Sequence, residues 1–289
     1  MTGITRRTYL KASAAAAMAG PLMSSANAAL DKNPWKKAFM LGKTTGSPLS
    51  VFKMLKEAGF DGVELISPNQ MGQDEILKAR DEAGLVIHGV SGAHHWQWPL
   101  TDPDPTIVAK SLDSIRQEFI DCKAYGGTTV LVVPAVVSKK VSYRDALVRS
   151  RQSIEKLIPD AEKHGIKIAI EEVWNKFLLS PLEFARFIDD FKSPWVGAYF
   201  DVGNIVEYGY PEQWIRELGP RILKIHVKEY KKDKRFGYAL GEGEIDWSAV
   251  AAALAEVGYQ GWITAEVGLG DLSEMKDVVA RMNRLLNLG

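Results

Sequence analysis

Short, nearly unbroken apolar runs alternate with amphipathic stretches along most of this 289-residue chain. Eight runs read as strands: Ala38–Leu41, Gly62–Leu65, Val86–Val90, Thr129–Val133, Ile166–Glu171, Val196–Asp201, Ile222–His226 and Trp262–Glu266. Continuous apolarity, rather than strict alternation, is what strands buried on both faces require. Between them fall helical patterns: Leu49–Ala58, Gln73–Glu82, Thr106–Tyr125, Tyr143–His164, Pro181–Phe191, Pro211–Leu218, Trp247–Val257 and Leu272–Leu286. Regular alternation of strand and helix predicts a parallel sheet in the α/β class. Eight such units over residues 29–289 match the length of a (β/α)₈ barrel, typically about 250 residues. An open doubly wound sheet ranks second, because no Gly-x-Gly-x-x-Gly phosphate cradle follows the first strand.

A weak internal repeat supports the barrel. Ala58-Gly-Phe-Asp-Gly-Val63 and Val257-Gly-Tyr-Gln-Gly-Trp262 share one plan, in which a glycine ends a helix, an aromatic follows, and a second glycine opens a strand. Gly84, Gly126 and Gly165 stand at comparable helix ends, where a left-handed residue is favoured. Two connections are long, Ser91–Asp104 and Lys228–Asp246, and long ordered loops in a compact domain are usually functional. The first carries His94, His95 and Trp96, side chains suited to stacking on a sugar ring and bonding its hydroxyls.

Four strand-like runs end in a metal-type side chain: Glu171, Asp201, His226 and Glu266. An ionisable group at the end of a buried strand is costly unless something pairs with it. The same placement on the last four strands points to one shared cation at the catalytic rim of a barrel. Three carboxylates and one imidazole form a hard, oxygen-rich set, favouring Mn²⁺, with Co²⁺, Mg²⁺ or Zn²⁺ as alternatives. Such an ion would polarise a carbonyl and stabilise an enediolate, with Glu171 and Glu266 as the acid–base pair on opposite sides of the ligand. Singly, a strand-end Glu reads as a salt-bridge partner and a lone His as a satisfied polar group; the shared position reverses that reading.

Composition narrows the partners. Lys plus Arg and Asp plus Glu both number 36, so no net positive charge recommends nucleic acid. The one dense basic cluster, Lys231 to Arg235, reads as a solvated loop. Cys122 is the only cysteine, excluding a disulfide framework or a thiolate zinc site. Residues 1–28 read as a twin-arginine leader: Arg6-Arg7, an apolar stretch from Ala12 to Met23, and a small-residue cleavage site at Ala26-Asn27-Ala28. That assigns 1–28 to the leader and 29–289 to the barrel, with the twin-arginine machinery as a partner and a periplasmic or secreted destination. The apolar stretch is too short for a stable membrane anchor. Its removal takes three basic residues and no acid, leaving a net charge of −3. A homo-oligomer is compatible with the sequence.

From Phe39 onward the chain resembles the xylose isomerase-like TIM barrels, the sugar isomerase and epimerase group that also includes the family-2 AP endonucleases. The resemblance rests on Ile170-Glu171-Glu172-Val-Trp-Asn175, Phe200-Asp201-Val-Gly203-Asn204, Ile225-His226-Val-Lys228 and Ala265-Glu266. It implies a metal held by Glu, Asp, His and Glu in that chain order, with the two glutamates exchanging the proton. The expected substrate-facing set is His94, His95, Trp96, Trp174, Asn175, Asn204, Lys228 and Glu64. Two positions depart from many ketose epimerases, which carry His where Asn204 stands and Arg where Lys232 stands, so the sugar does not carry over. The register is also open. Aligning Asn175-Lys-Phe177 with the family's Asn-Arg-Phe favours Glu172, whereas Glu171 directly follows the apolar strand and is taken as the ligand.

The resulting expectation is a divalent-metal-dependent sugar isomerase or epimerase acting on a ketose or keto-sugar. Export moves that substrate away from cytosolic sugar phosphates. One alternative is β-elimination by a 3-keto-glycoside lyase on the same metal site. A non-catalytic sugar-binding barrel is another. A nuclease is disfavoured by the five histidines and the absence of net positive charge.

Overall fold

Eight parallel strands close into a barrel in sequence order: β1 (Lys36–Leu41), β2 (Gly62–Ser67), β3 (Val86–Gly92), β4 (Thr129–Val132), β5 (Lys167–Glu171), β6 (Val196–Asp201), β7 (Ile222–Val227) and β8 (Trp262–Ala265). β8 pairs with β1 to complete the ring. The computed structural model describes residues 32–42, 44, 46–69 and 71–288. The leader expected over 1–28 lies outside the described residues. Among these residues no helix is long and apolar enough to cross a membrane.

The outer layer is α1 (Pro48–Ala58), α2 (Gln73–Ala83), α3 (Pro105–Tyr125), α4 (Tyr143–His164), α5 (Pro181–Asp189), α6 (Val202–Ile205), α7 (Pro211–Leu218), α8 (Trp247–Glu256) and α9 (Leu272–Leu286). Most boundaries fall within two residues of the hydrophobic pattern. α6 was not legible in that pattern: it is a single turn, capped by the Asp201 carboxylate that ends β6. Side-chain oxygens cap α1, α3, α4, α5, α8 and α9, each satisfying backbone N–H groups that a helix start leaves unpaired.

Both glycines of the repeated motif have a physical cause. Gly59 closes α1 with φ 106°, donating to Leu55 and Lys56 carbonyls, and Gly258 has φ 66°. Side chains other than glycine rarely adopt that region. At Gly62 a Cβ would stand 2.5 Å from the Val86 carbonyl oxygen and 2.6 Å from the Trp262 ring. The glycine therefore lets β2 and β3 close around the indole.

Alternation along the strands divides the core. Ile168, Ile170, Ala198, Phe200, Ile225 and Val227 face the helices and join the main apolar layer. Ala169 and Tyr199 belong to a separate cluster with Leu131 and Val133 inside the barrel. Continuing the same parity carries Glu171, Asp201 and His226 inward at the C-terminal rim.

Candidate metal centre

The four strand-end groups converge. One ligand atom from each of Glu171, Asp201, His226 and Glu266 lies within 4.8 Å of the others. Register explains the convergence: Asp201 on β6 is level with His226 on β7, and Glu171 on β5 is level with Tyr199. Glu266 begins just beyond β8, its amide donating to the Val227 carbonyl at 3.0 Å. Nδ1 of His226 stands 2.9 Å from Glu171 Oε1 and 3.4 Å from Glu266 Oε2. Lys228 completes the group, its ammonium 2.8 Å from both Asp201 Oδ2 and Glu266 Oε2.

Burial sets the electrostatics. It lifts Glu171 to about 7, against the pull of His226, and Asp201 to about 6, against the pull of Lys228. Burial also opposes ionisation of Glu266, but His226 and Lys228 outweigh it and hold that carboxyl below its usual range. His226 is raised well above the ordinary imidazole value: burial works against the charge, but Glu64 and Glu171 overcome it. The site is thus rich in carboxylate with too little cation to satisfy it. Asp201 Oδ1 accepts from the Gly203 and Asn204 amides, at 2.8 and 3.0 Å. Its Oδ2 lies 2.8 Å from the Lys228 ammonium. Three carboxylates, an imidazole and no thiolate fit a hard divalent cation. The one cysteine, Cys122, is buried on α3.

Glu172 does not join the cluster. Strand parity turns it away from the barrel interior, and its Oε1 accepts from the Asp201 amide at 2.9 Å. Burial raises it well above the carboxylate range. It therefore supports the Asp201 backbone from outside the barrel interior.

Several expected substrate contacts lie elsewhere. Glu64 is fully buried beneath the imidazole, with Oε1 3.2 Å from His226 Nε2 and Oε2 accepting from the Tyr199 hydroxyl at 2.6 Å. It holds the His226 imidazole in place from beneath. Asn175 is also turned inward, donating to the Ala135 carbonyl at 2.7 Å and accepting from the Phe177 amide. Asn204 donates to the Glu172 carbonyl at 2.9 Å. Both amides pin loop backbones. Trp174 donates to the Asn204 carbonyl and lies 4.8 Å from Phe236, with Arg235 over its face. Lys232 is exposed. Trp96 is 56% exposed, and burial lowers His95 to about 4. His94 borders a cavity beside the site.

Residues not anticipated from the sequence form the layer beneath the four-residue cluster. Tyr199, Lys224 and Thr264 each sit two positions before a ligand on their strands. The Tyr199 hydroxyl is 3.2 Å from Thr264 Oγ1, which is 3.0 Å from His88 Nε2. The signal was strand parity, since side chains two apart share a face.

Comparison with known proteins agrees with the fold. Residues 52–285 match the family described as xylose isomerase-like TIM barrel. An L-ribulose 3-epimerase of Methylomonas sp. is 29% identical over 223 residues, 72% of this chain and 74% of that protein. An L-ribulose-5-phosphate 3-epimerase of Salmonella paratyphi C is 22% identical over 254 residues, 81% of this chain and 89% of that one. The solved structure of a 3-keto-D-glucoside 4-epimerase from E. coli superposes with TM-score 0.75 at 18% identity, covering 86% of this chain and 99% of the other.

Proposed function

The chain belongs to the xylose isomerase-like TIM barrel family, and from that premise we propose that it is a divalent-metal-dependent epimerase or isomerase of a ketose or keto-sugar. The observation that carries this reading is the convergence of Glu171, Asp201, His226 and Glu266 within 4.8 Å at the rim. The sugar epimerases among its relatives support it.

Glu171, Asp201, His226 and Glu266 would hold the ion, with Mn²⁺ the first choice for such a donor set. When bound, the ion supplies a Lewis acid for the sugar carbonyl. The remaining work falls to the side chains. Glu266 is the most open of the four, with 32% of its side chain exposed. It borders a cavity of about 530 Å³ together with Lys228, Phe236 and Tyr238. His226 and Lys228 hold its carboxyl below the usual range, which suits it to take the proton from the carbon beside the carbonyl. Glu171, three strands away around the ring, returns a proton from the other side. Return to the opposite face of the same carbon inverts it; return to the neighbouring carbon, with the hydroxyl proton passing between the two oxygens, moves the carbonyl. Phe236 offers an apolar face at the mouth, with Lys228 4.7 Å above its ring.

Chelator treatment should abolish turnover, and Mn²⁺ or Co²⁺ should restore it. Full activity in metal-free protein would sink the reading. Glu266→Gln should also stop deuterium uptake from D₂O into the product. A second reading, β-elimination from a keto-glycoside, uses the same proton removal. It is favoured by a further cavity of about 740 Å³ that continues the cleft past the cluster. Elimination splits the substrate and epimerisation conserves its mass, so mass spectrometry separates them.

A further inference from the structure

The two cavities at the rim meet at Gly42, which lines both. They differ in chemistry. The first contains Glu266 and Lys228 and holds the reacting sugar on the reading above. The second, over the ends of β1, β2 and β3, has no member of the ligand cluster among its described lining residues. Leu41, Ile66, Pro68 and Met71 give it apolar walls; Thr44, Asn69 and Gln97 add uncharged polar groups. Among these residues only His94 can carry a charge.

The lining is held in place by its own bonds. The Asn69 amide donates to the Ile66 carbonyl at 2.9 Å and accepts from the Met71 amide at 2.9 Å, fixing the turn. His94 stacks on Trp98 at 4.3 Å. Its Nδ1 lies 3.1 Å from Ser114 Oγ, which donates to Glu118 Oε1 at 3.2 Å. Nε2 is left without a protein hydrogen bond among the described residues. Each cavity alone falls in the range of about 300–1,000 Å³ usual for a small-molecule site. A single sugar ring at the metal therefore leaves the second cavity unfilled. A phosphate there would meet no lysine or arginine among the described lining residues, only the His94 ring and the Gln97 amide, since the Asn69 amide is committed to its turn.

We propose that the cavity over β1–β3 is a second subsite for an uncharged glycosyl or aglycone ring, so that the substrate class is a glycosylated keto-sugar and not a sugar phosphate. This rests on the first cavity's holding the reacting sugar.

Three probes share one ketose and differ only at O6: D-fructose, D-fructose 6-phosphate and isomaltulose, which carries a glucosyl group there. Calorimetric titration of the Mn²⁺-loaded protein should give isomaltulose binding about tenfold tighter than fructose, with no gain for the phosphate. Met71→Trp, checked for folding by thermal melt, fills the cavity and should remove the glucosyl gain. Equal affinity for fructose and isomaltulose would overturn the proposal, as would a gain that survives Met71→Trp or preference for the phosphate. Turnover is measured separately. A glucosyl gain without turnover refutes the epimerase reading and supports the subsite, whereas no binding of any probe overturns both.

Discussion

Replacing Glu64 with Gln isolates what fixes the His226 imidazole. The Glu64 carboxylate is fully buried and accepts from two groups, His226 Nε2 at 3.2 Å and the Tyr199 hydroxyl at 2.6 Å. An amide preserves the volume but keeps one acceptor oxygen and presents an N–H pair in place of the other. Tyr199 can turn its hydroxyl toward Thr264 Oγ1, 3.2 Å away, so the packing survives. The imidazole then keeps a neutral bond where it had a charge-assisted one. Charged hydrogen bonds contribute about 1.5–3 kcal/mol against about 0.5–1.5 for neutral ones. The difference, about 1–1.5 kcal/mol, corresponds to roughly 5- to 13-fold in affinity, which meets the lower end of the roughly 10- to 100-fold loss found when a group behind a metal-bound histidine is removed. The assay is calorimetric titration of chelator-treated protein with Mn²⁺, with circular dichroism to confirm the fold. A dissociation constant about tenfold weaker is expected. A value within about twofold of wild type would refute the idea that Glu64 sets the ligand's orientation and basicity.

Glu118, linked to His94 through Ser114, gives a pH signature outside the four-residue cluster. Burial raises it to about 8, so its stabilising contribution is full below about 4.5, the unfolded value, and is lost as pH rises through 8. Wild-type stability should fall relative to Glu118→Gln by about 1.4 kcal/mol per pH unit in that window, read from urea midpoints between pH 5 and 8; parallel profiles would contradict the assignment. Gly203→Ala places a Cβ 2.6 Å from Lys228 Cγ and 2.9 Å from its carbonyl oxygen. It should destabilise by about 1–3 kcal/mol and lower kcat/KM by displacing the ammonium, whereas wild-type melting and turnover would show that Lys228 gives way freely. Changing Arg6 and Arg7 together to Lys should retain the protein in the cytoplasm on fractionation. Unaltered export would remove the twin-arginine assignment.

The barrel was legible because each strand is a continuous apolar run with a turn signal on either side. Glu171 could be chosen over Glu172 by counting: Ile168 and Ile170 are apolar outward positions, so Glu172 shares their side and Glu171 does not. The same count identifies Tyr199, Lys224 and Thr264 as inward, although nothing in their residue types flags them. Asn175 and Asn204 were harder to read, since each has protein partners of its own. They sit within a few residues of the ligands and invite a substrate role, but loops beside an active site need amides to tie their backbones. The cavity over β1–β3 was not legible at all. It is assembled from three connections with no period of their own, and only the closed ring brings Gly42, Met71 and His94 to one opening.

Lys228 and the layer beneath it imply that metal loading is also a proton reaction. Glu171, Asp201, Glu266 and Glu64 bring four negative charges when ionised; Lys228 and Lys224 supply two positive ones, and Lys224 lies within electrostatic reach of Glu64. With a neutral imidazole, only an ion of valence two brings that interior to zero. Burial pushes Glu171 and Asp201 up and the carboxylates around His226 raise the imidazole, so protons are held more tightly there while no cation is bound. Each cation that enters must therefore expel protons. The heat of metal binding should vary with the ionisation enthalpy of the buffer, and a univalent or trivalent ion of similar radius would leave a buried charge that nothing nearby can cancel.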